Sequence, residues 1–511
     1  MKTMEKHRLA VLLVVLAAVL LVSGGLSAQS AVSADWPLGW DGDVDLDAIQ
    51  SLSDVLAIAF VRDTSMQLSE LELKMMLASL AGLQASLRPQ LTLSGDYIGQ
   101  NFANMGGGAS RPTVGAPDPE DVVHVVSGSL TYAQQLGPSN QLRGALTQAE
   151  IGLELTELQQ QRAALDLVAQ VQQYYHGILN SYSMFAVAEL AKDIAQESLA
   201  ITENKLLAGT VTPVDVLREK NAVLEAENNV QRAEHGLQIS ILGLLRLIGL
   251  DASYLETGTE WAADLAAQEQ FAVEEWVVDF DDMLAFAMDS RLELRSAAKQ
   301  RRLAEVEYAT ELGRSDWSAR VSGTYEADEF TVRGSLDSDR LLTTTLNRSE
   351  TRGLPDGLEQ AQDVNPWQVN VNVTYRFGDG GAGRAEEERR ALAVEQAGLQ
   401  YVSAEDGVFL DIHNRYFSLQ QAYRTYALRK EMLLEAERTF TQMEELYAAG
   451  MAVRKDLLDG KLMVAHARSA AQEAALAYWM SQAELARAAG VPLTQVVQGV
   501  SSGEWNQISW R

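Results

Sequence analysis

Few residues of this 511-residue chain have the type and spacing to do chemistry, and those that do are carboxylates at two turns. The chain has no cysteine, which excludes disulfides, thiol catalysis, thiolate metal sites and a lipid attached through an N-terminal cysteine. His176, His235, His413 and His466 stand alone, without a second histidine or carboxylate at ligand spacing, so they read as packed or solvated helix positions. No metal and no cofactor is expected. No Ser/His/Asp or Cys/His constellation can be assembled, and an enzyme is not expected either. The segment GDGGAG (378–383) satisfies G-x-G-x-x-G, a pattern that can cradle a dinucleotide. The helical pattern after it runs far too long to return as a βαβ unit, so it reads as a strand-to-helix turn.

The turns are KLLAGTVTPVDVLREK (205–220) and LYAAGMAVRKDLLDGK (446–461). Each has a glycine, Gly209 or Gly450, then an aspartate six residues on, Asp215 or Asp456, then a leucine two further, Leu217 or Leu458. Glycine supplies the left-handed conformation that ends a helix, and Thr212-Pro213 suits the first turn of the next one. Asp215 and Asp456 then fall at the positive end of that next helix, which by itself would explain an acidic residue there. The second copy adds Asp459, three residues after Asp456 and on the same helical face.

The elements that carry these turns are duplicated. DVLAIAF (54–60) matches DMLAFAM (282–288), and at the same offset LTLSGDY (91–97) matches ARVSGTY (319–325). About 15 extra residues in a polar loop of the second copy account for the wider spacing of the turns. Each half reads as a helix, an alternating segment, a polar loop, a second alternating segment, a very long helix, the turn and a further helix. The long helical patterns, near 139–207 and 384–448, would each span on the order of 100 Å, the length of rods and coiled coils. Alternation is clearest in WQVNVNVTYRF (367–377), where Trp367, Val369, Val371, Val373 and Tyr375 share one face and Gln368, Asn370, Asn372 and Thr374 the other. WSARVSGTYEA (317–327) repeats it with Trp317, Val321 and Tyr325. Strands are expected near 89–99, 122–132, 317–327 and 367–377, with the 328–366 stretch as a long polar extracellular loop.

A basic, then apolar, then small-residue start marks residues 1–34 as a signal peptide, cleaved after Ala28 or Ala34. The expected organisation is a first repeat over 35–270, a second over 271–493 and a tail over 494–511. No later stretch approaches the roughly 20 apolar residues of a membrane helix, so a membrane location requires strands. A net charge of −29 disfavours nucleic acid as a partner. Four strands cannot close a membrane barrel, for which about eight are needed, so several chains must pool them.

Export, the duplicated plan, paired strands, ~100 Å helices and the G-x(5)-D-x-L turns resemble the TolC family of outer-membrane efflux proteins. The resemblance implies a mixed, mainly α fold: a homotrimer with a 12-stranded β-barrel in the outer membrane, continued into the periplasm by a long α-helical barrel. It implies a passive exit channel of a tripartite efflux or type I secretion system. Its partners would be outer-membrane lipid, a periplasmic adaptor, and an inner-membrane pump or ATP-binding exporter. Trp317, Val321, Tyr325, Trp367, Val369, Val371, Val373 and Tyr375 would then face lipid. Gly209, Val211, Leu217, Gly450, Val453 and Leu458 would form the adaptor-contacting tips. Asp456 and Asp459 would crowd at the constriction, raising each other's pKa and attracting cations. Tyr447 matches a family tyrosine that bonds the aspartate equivalent to Asp215 and holds the tip shut. The family's arginine partner falls at Ala452, with Arg454 and Lys455 nearby. The alternative from another class is an exported structural rod or adhesin whose strands form a soluble sheet.

Overall fold

Local capping sets where the helices begin. Ser51 opens the first one, α1 (Leu52–Arg62), with a reciprocal box: the Asp54 amide donates to Ser51 Oγ and the Ser51 amide to Asp54 Oδ2. The Asp63 carboxylate, accepting from the Ser65 and Met66 amides, ends that helix and starts α2 (Thr64–Ala85). The computed structural model describes residues 49, 51–101, 122–250, 255–268, 273–315, 317–327, 330–352, 367–502 and 505. The signal segment 1–34 with its cleavage points, and residues 353–366 of the expected loop, lie outside them.

After α2 come strands β1 (Gln90–Asn101) and β2 (Val122–Gln135), then the long helix α3 (Asn140–Leu207), α4 (Pro213–Leu247) and the short α5 (Leu255–Gln268). The second half repeats the order with α6 (Phe280–Ser290), α7 (Leu292–Leu312), four strands β3 (Trp317–Ala327), β4 (Phe330–Asp337), β5 (Leu341–Arg352) and β6 (Trp367–Tyr375), then α8 (Ala382–Ala448), α9 (Arg454–Ala488) and α10 (Leu493–Ser502). With 68 and 67 residues, α3 and α8 are each about 100 Å long. No described helix is long and apolar enough to cross a membrane.

Rods of this length are stabilised by packing rather than propensity, and the packing is concentrated at mid-length. Leu167, Val168, Val171, Tyr175, Ile178 and Leu179 of α3 are buried with Leu237, Ile241 and Leu244 of α4, Ile412 and Leu419 of α8, and Tyr478 and Leu485 of α9. Helix α1 and the tryptophans Trp261, Trp276 and Trp505 close over this girdle. Two polar anchors tie the closure: Trp261 Nε1 donates to the Ile49 carbonyl at 3.0 Å, and the Trp276 amide donates to Tyr478 Oη at 2.8 Å.

Among the described residues, six strands form one antiparallel sheet in the order β1-β2-β5-β4-β3-β6. This corrects the expectation of four strands per chain, and with it the reading of the whole 328–366 stretch as loop. Residues 330–352 instead make a hairpin lodged between β2 and β3. Its alternation is weak as sequence: apolar positions are sparse, and Thr343, Thr344 and Thr345 run together with no change of polarity. The strands exist because β2 and β3 offer hydrogen-bonding partners on both sides, which no local pattern reports.

Candidate functional site: the helix tips and the sheet face

At the end farthest in sequence from the strands, α3 turns into α4 and α8 into α9. Gly209 (φ +71°) and Gly450 (φ +73°) both adopt the left-handed conformation, and at both a side-chain carbon would meet open space. Backbone conformation alone therefore requires glycine there. The two turns close alike: the Thr210 amide reaches the Lys205 carbonyl at 2.9 Å, and the Met451 amide reaches that of Leu446 at 2.8 Å.

The next helices are capped differently. Thr212 and Asp215 form a capping box, with the Thr212 amide and hydroxyl donating to Asp215 Oδ2 at 2.9 and 2.7 Å. These bonds, with help from Arg218, hold the Asp215 carboxyl below the usual range. At the second tip Val453 has no side chain to cap with, and only its amide donates to Asp456 Oδ2, at 3.1 Å. Asp456 and Asp459 are both exposed on the first turns of α9.

Tyr447 and Asp215 are not brought together. Among the described contacts Asp215 is engaged by Thr212 and Arg218, while the Arg454 guanidinium lies over the Tyr447 ring, 5.9 Å from its centroid. Arg454 Nε also donates to Glu197 Oε1 of α3 at 2.8 Å, and Lys455 Nζ lies 3.9 Å from Glu219 Oε1 of α4. The basic pair of the second tip is thus tied to both helices of the first. Glu197 and Glu219 escaped sequence reasoning. The available signal was that Arg454 and Lys455 have no basic counterpart in the first copy, where Pro213 and Val214 stand.

The tip surfaces also differ between copies. Leu217 is 61% exposed, whereas Leu458, at the same motif position, is 5% exposed. Leu458 is therefore a packing residue and not a contact surface, which corrects its assignment to the tip surface. Val453 is exposed and Val211 half-buried. Leu207, Val214 and Met451 are exposed apolar tip residues that the motif comparison did not single out.

The GDGGAG turn is self-contained. Asp379 Oδ1 accepts from the Gly381 amide at 2.9 Å and Oδ2 from the Gly383 amide at 2.5 Å, which lowers the Asp379 pKa. A carboxylate already occupies the place a phosphate would take at this helix start. Among the described residues there is no cluster of His, Asp and Glu able to hold a metal ion.

At the other end of the long helices, the face of the sheet bearing Trp317, Val321, Tyr325, Trp367, Val369, Val371, Val373 and Tyr375 is open, each of these side chains being about half exposed or more. The register carries the same face across every strand: Leu93 opposes Leu130, Leu130 opposes Leu346, Leu346 opposes Val332, Val332 opposes Tyr325, and Tyr325 opposes Trp367. The next row, on the reverse face, is polar in every strand: Thr92, Thr131, Thr345, Arg333, Thr324 and Gln368. An apolar outer face and a polar inner one are the marks of a membrane β-barrel wall with a wet lumen.

Long paired helices ending in such a wall define an outer-membrane channel. The chain belongs to the outer membrane efflux protein family, whose model matches residues 55–250 and 283–491. Its structure is similar to the CmeC outer membrane channel of Campylobacter jejuni, at 14% identity and a TM-score of 0.63, covering 94% of this chain and 98% of that one. It is also similar to the MtrE outer membrane channel of Neisseria gonorrhoeae in its open state (18% identity, TM-score 0.57, 87% of this chain and 90% of that one). A third likeness is to the outer membrane protein VceC of Vibrio cholerae (15% identity, TM-score 0.56, 86% and 96%). No curated protein sequence matches the chain. The protein is an outer-membrane efflux channel, not an enzyme, and it extends from the outer membrane into the periplasm.

Proposed function

We propose that this channel is the passive exit duct of a tripartite efflux or type I secretion machine, working as a homotrimer whose periplasmic tips are opened by an adaptor and an inner-membrane pump or exporter. The observation that carries the reading is the pair of tips, each a left-handed glycine turn at the end of a ~100 Å helix, cross-tied by Arg454–Glu197 and Lys455–Glu219. Exposed ion pairs of this kind hold weakly and separate readily, which suits a gate. Assembly is supported by the apolar stripe on α8. Leu392, Leu410 and Leu428 recur every 18 residues, with Leu399 and Phe417 interleaved, and all five are exposed. Eighteen residues are five helical turns, so the stripe runs straight along the helix, as an interface with a neighbouring copy requires. Asp456 and Asp459 supply carboxylates for the constriction, and Tyr447 with Arg454 takes the closing role that the resemblance gave to Tyr447 with Asp215.

The test is ion conduction by the purified protein in a planar bilayer. Wild type should conduct with a preference for cations, and changing Asp456 and Asp459 to Asn should reduce that preference and the block by multivalent cations. Protein that inserts but conducts nothing, even with Arg454 and Lys455 also changed, would refute the gated-duct reading.

A further inference from the structure

We infer that the β4–β5 hairpin is part of the barrel wall, so that each chain supplies six strands and three chains close an 18-stranded barrel through a β1-to-β6 junction between copies. The inference rests on the trimeric channel reading and goes beyond it, because two strands from each repeat, four per chain, would give only twelve.

Three features make the hairpin wall rather than a flap folded over the outside. First, it is bonded on both flanks: β5 pairs with β2 from Leu341–Gln135 to Arg352–His124, and β4 pairs with β3 from Asp337–Arg320 to Phe330–Ala327. Second, its turn is anchored beside the ends of both neighbours. The Ser338 amide donates to the Ala319 carbonyl at 2.7 Å, the Leu136 amide donates to the Arg340 carbonyl at 2.8 Å, and Gln135 Nε2 donates to the Asp339 carbonyl. Arg340 takes a positive φ of 65° to make this turn, and Asp337 Oδ1 accepts from the Leu341 amide at 2.9 Å. Third, the central row of each face passes through it. Val332 and Leu346 continue the lipid-side row from Leu130 to Tyr325, and Arg333 and Thr345 continue the lumen-side row from Thr131 to Thr324. Thr131 Oγ1 and Thr345 Oγ1 are 3.2 Å apart across the junction.

The edges then determine the partner. Five antiparallel pairings in a row leave β1 and β6 running in opposite directions, each with one hydrogen-bonding edge unmatched among the described residues. An open edge inside a membrane is not tolerated, because its amides and carbonyls have no water to bond. The edge of β1 is of the right polarity for β6 of a second copy, and repetition of this head-to-tail contact closes a ring with strict strand alternation. Barrel diameter grows roughly linearly with strand number, so 18 strands make an exit about 1.5 times wider than 12, in the range where barrels leave an open aqueous channel. The lumen rows are mainly Ser, Thr, Asn and Gln, with Asp96, Arg320, Glu326, Arg333 and Asp337 among them, so this exit is lined for polar cargo.

The absence of native cysteine permits a clean test by paired cysteine substitution in the full-length protein extracted from outer membranes. Thr131→Cys with Thr345→Cys, and Thr324→Cys with Arg333→Cys, should each form a disulfide within the chain upon oxidation. Thr131→Cys with Thr324→Cys should not, since these positions are three strand spacings, about 14 Å, apart. Electron cryomicroscopy of the same trimers should show 18 strands in cross-section. A Thr131–Thr324 disulfide, or trimers with 12 strands, would overturn the inference and leave the channel reading intact. Chains that form the Thr131–Thr345 disulfide but are monomeric or need no detergent would overturn both.

Discussion

The two motif leucines provide a quantitative test of how far the duplicated tips have diverged. Leu458 is 5% exposed on α9, and its truncation to Ala removes transfer energy and leaves a cavity. Leu→Ala in a core costs about 2–5 kcal/mol, and a tip that can partly collapse belongs at the low end, about 2–3 kcal/mol. Leu217 is 61% exposed, so it retains only some two-fifths of its burial to lose. Full burial of a leucine is worth about 1.5–3 kcal/mol, so Leu217→Ala should cost roughly 0.6–1.2 kcal/mol. Tip opening is local, and amide hydrogen exchange reads its free energy directly. At 1.4 kcal/mol per factor of ten, Leu458→Ala should lower protection over residues 454–464 by about 30- to 150-fold. Leu217→Ala should lower it over residues 213–223 by less than about tenfold, while weakening capture by whatever docks on the tip. Equal loss of protection in the two variants would refute the assignment of Leu458 to packing and Leu217 to contact.

Further outcomes follow from other contacts. Changing Arg454 and Lys455 to Glu sets like charges against Glu197 and Glu219, so single channels should open more often, with the effect fading in high salt; an unchanged open probability would show that these pairs do not hold the tips. Tyr478→Phe removes the acceptor of the buried Trp276 amide and should cost about 1–3 kcal/mol, seen as a lower Tm without change in conductance. His176 is buried, neither ring nitrogen has a partner among the described residues, and burial pushes its pKa down to about 4. The unfolded chain therefore binds a proton that the native chain refuses between about pH 6.5 and 4. Native stability associated with His176 is intact above that window and declines as pH falls through it, so in thermal unfolding His176→Phe should reduce the loss of Tm across this range.

Period and spacing made the mainly helical fold, the duplication, the long helices and the paired strands legible, because each depends on residues near one another in the chain. Trp367 to Tyr375 alternate strictly, and both tip glycines sit where only a left-handed turn can end one helix and start the next. The β4–β5 hairpin was not legible, since Thr343, Thr344 and Thr345 acquire a face only by pairing with β2 and β4. Nor were the partners of Arg454 and Lys455, which lie more than 200 residues away in sequence. Leu217 and Leu458 make the same point within one motif. Backbone conformation and helix capping, both local, dictate that both tips carry the same turn. Which leucine is buried and which carboxylates meet the basic pair arise only in the folded chain, because burial and ion pairing depend on the helix each tip lies against.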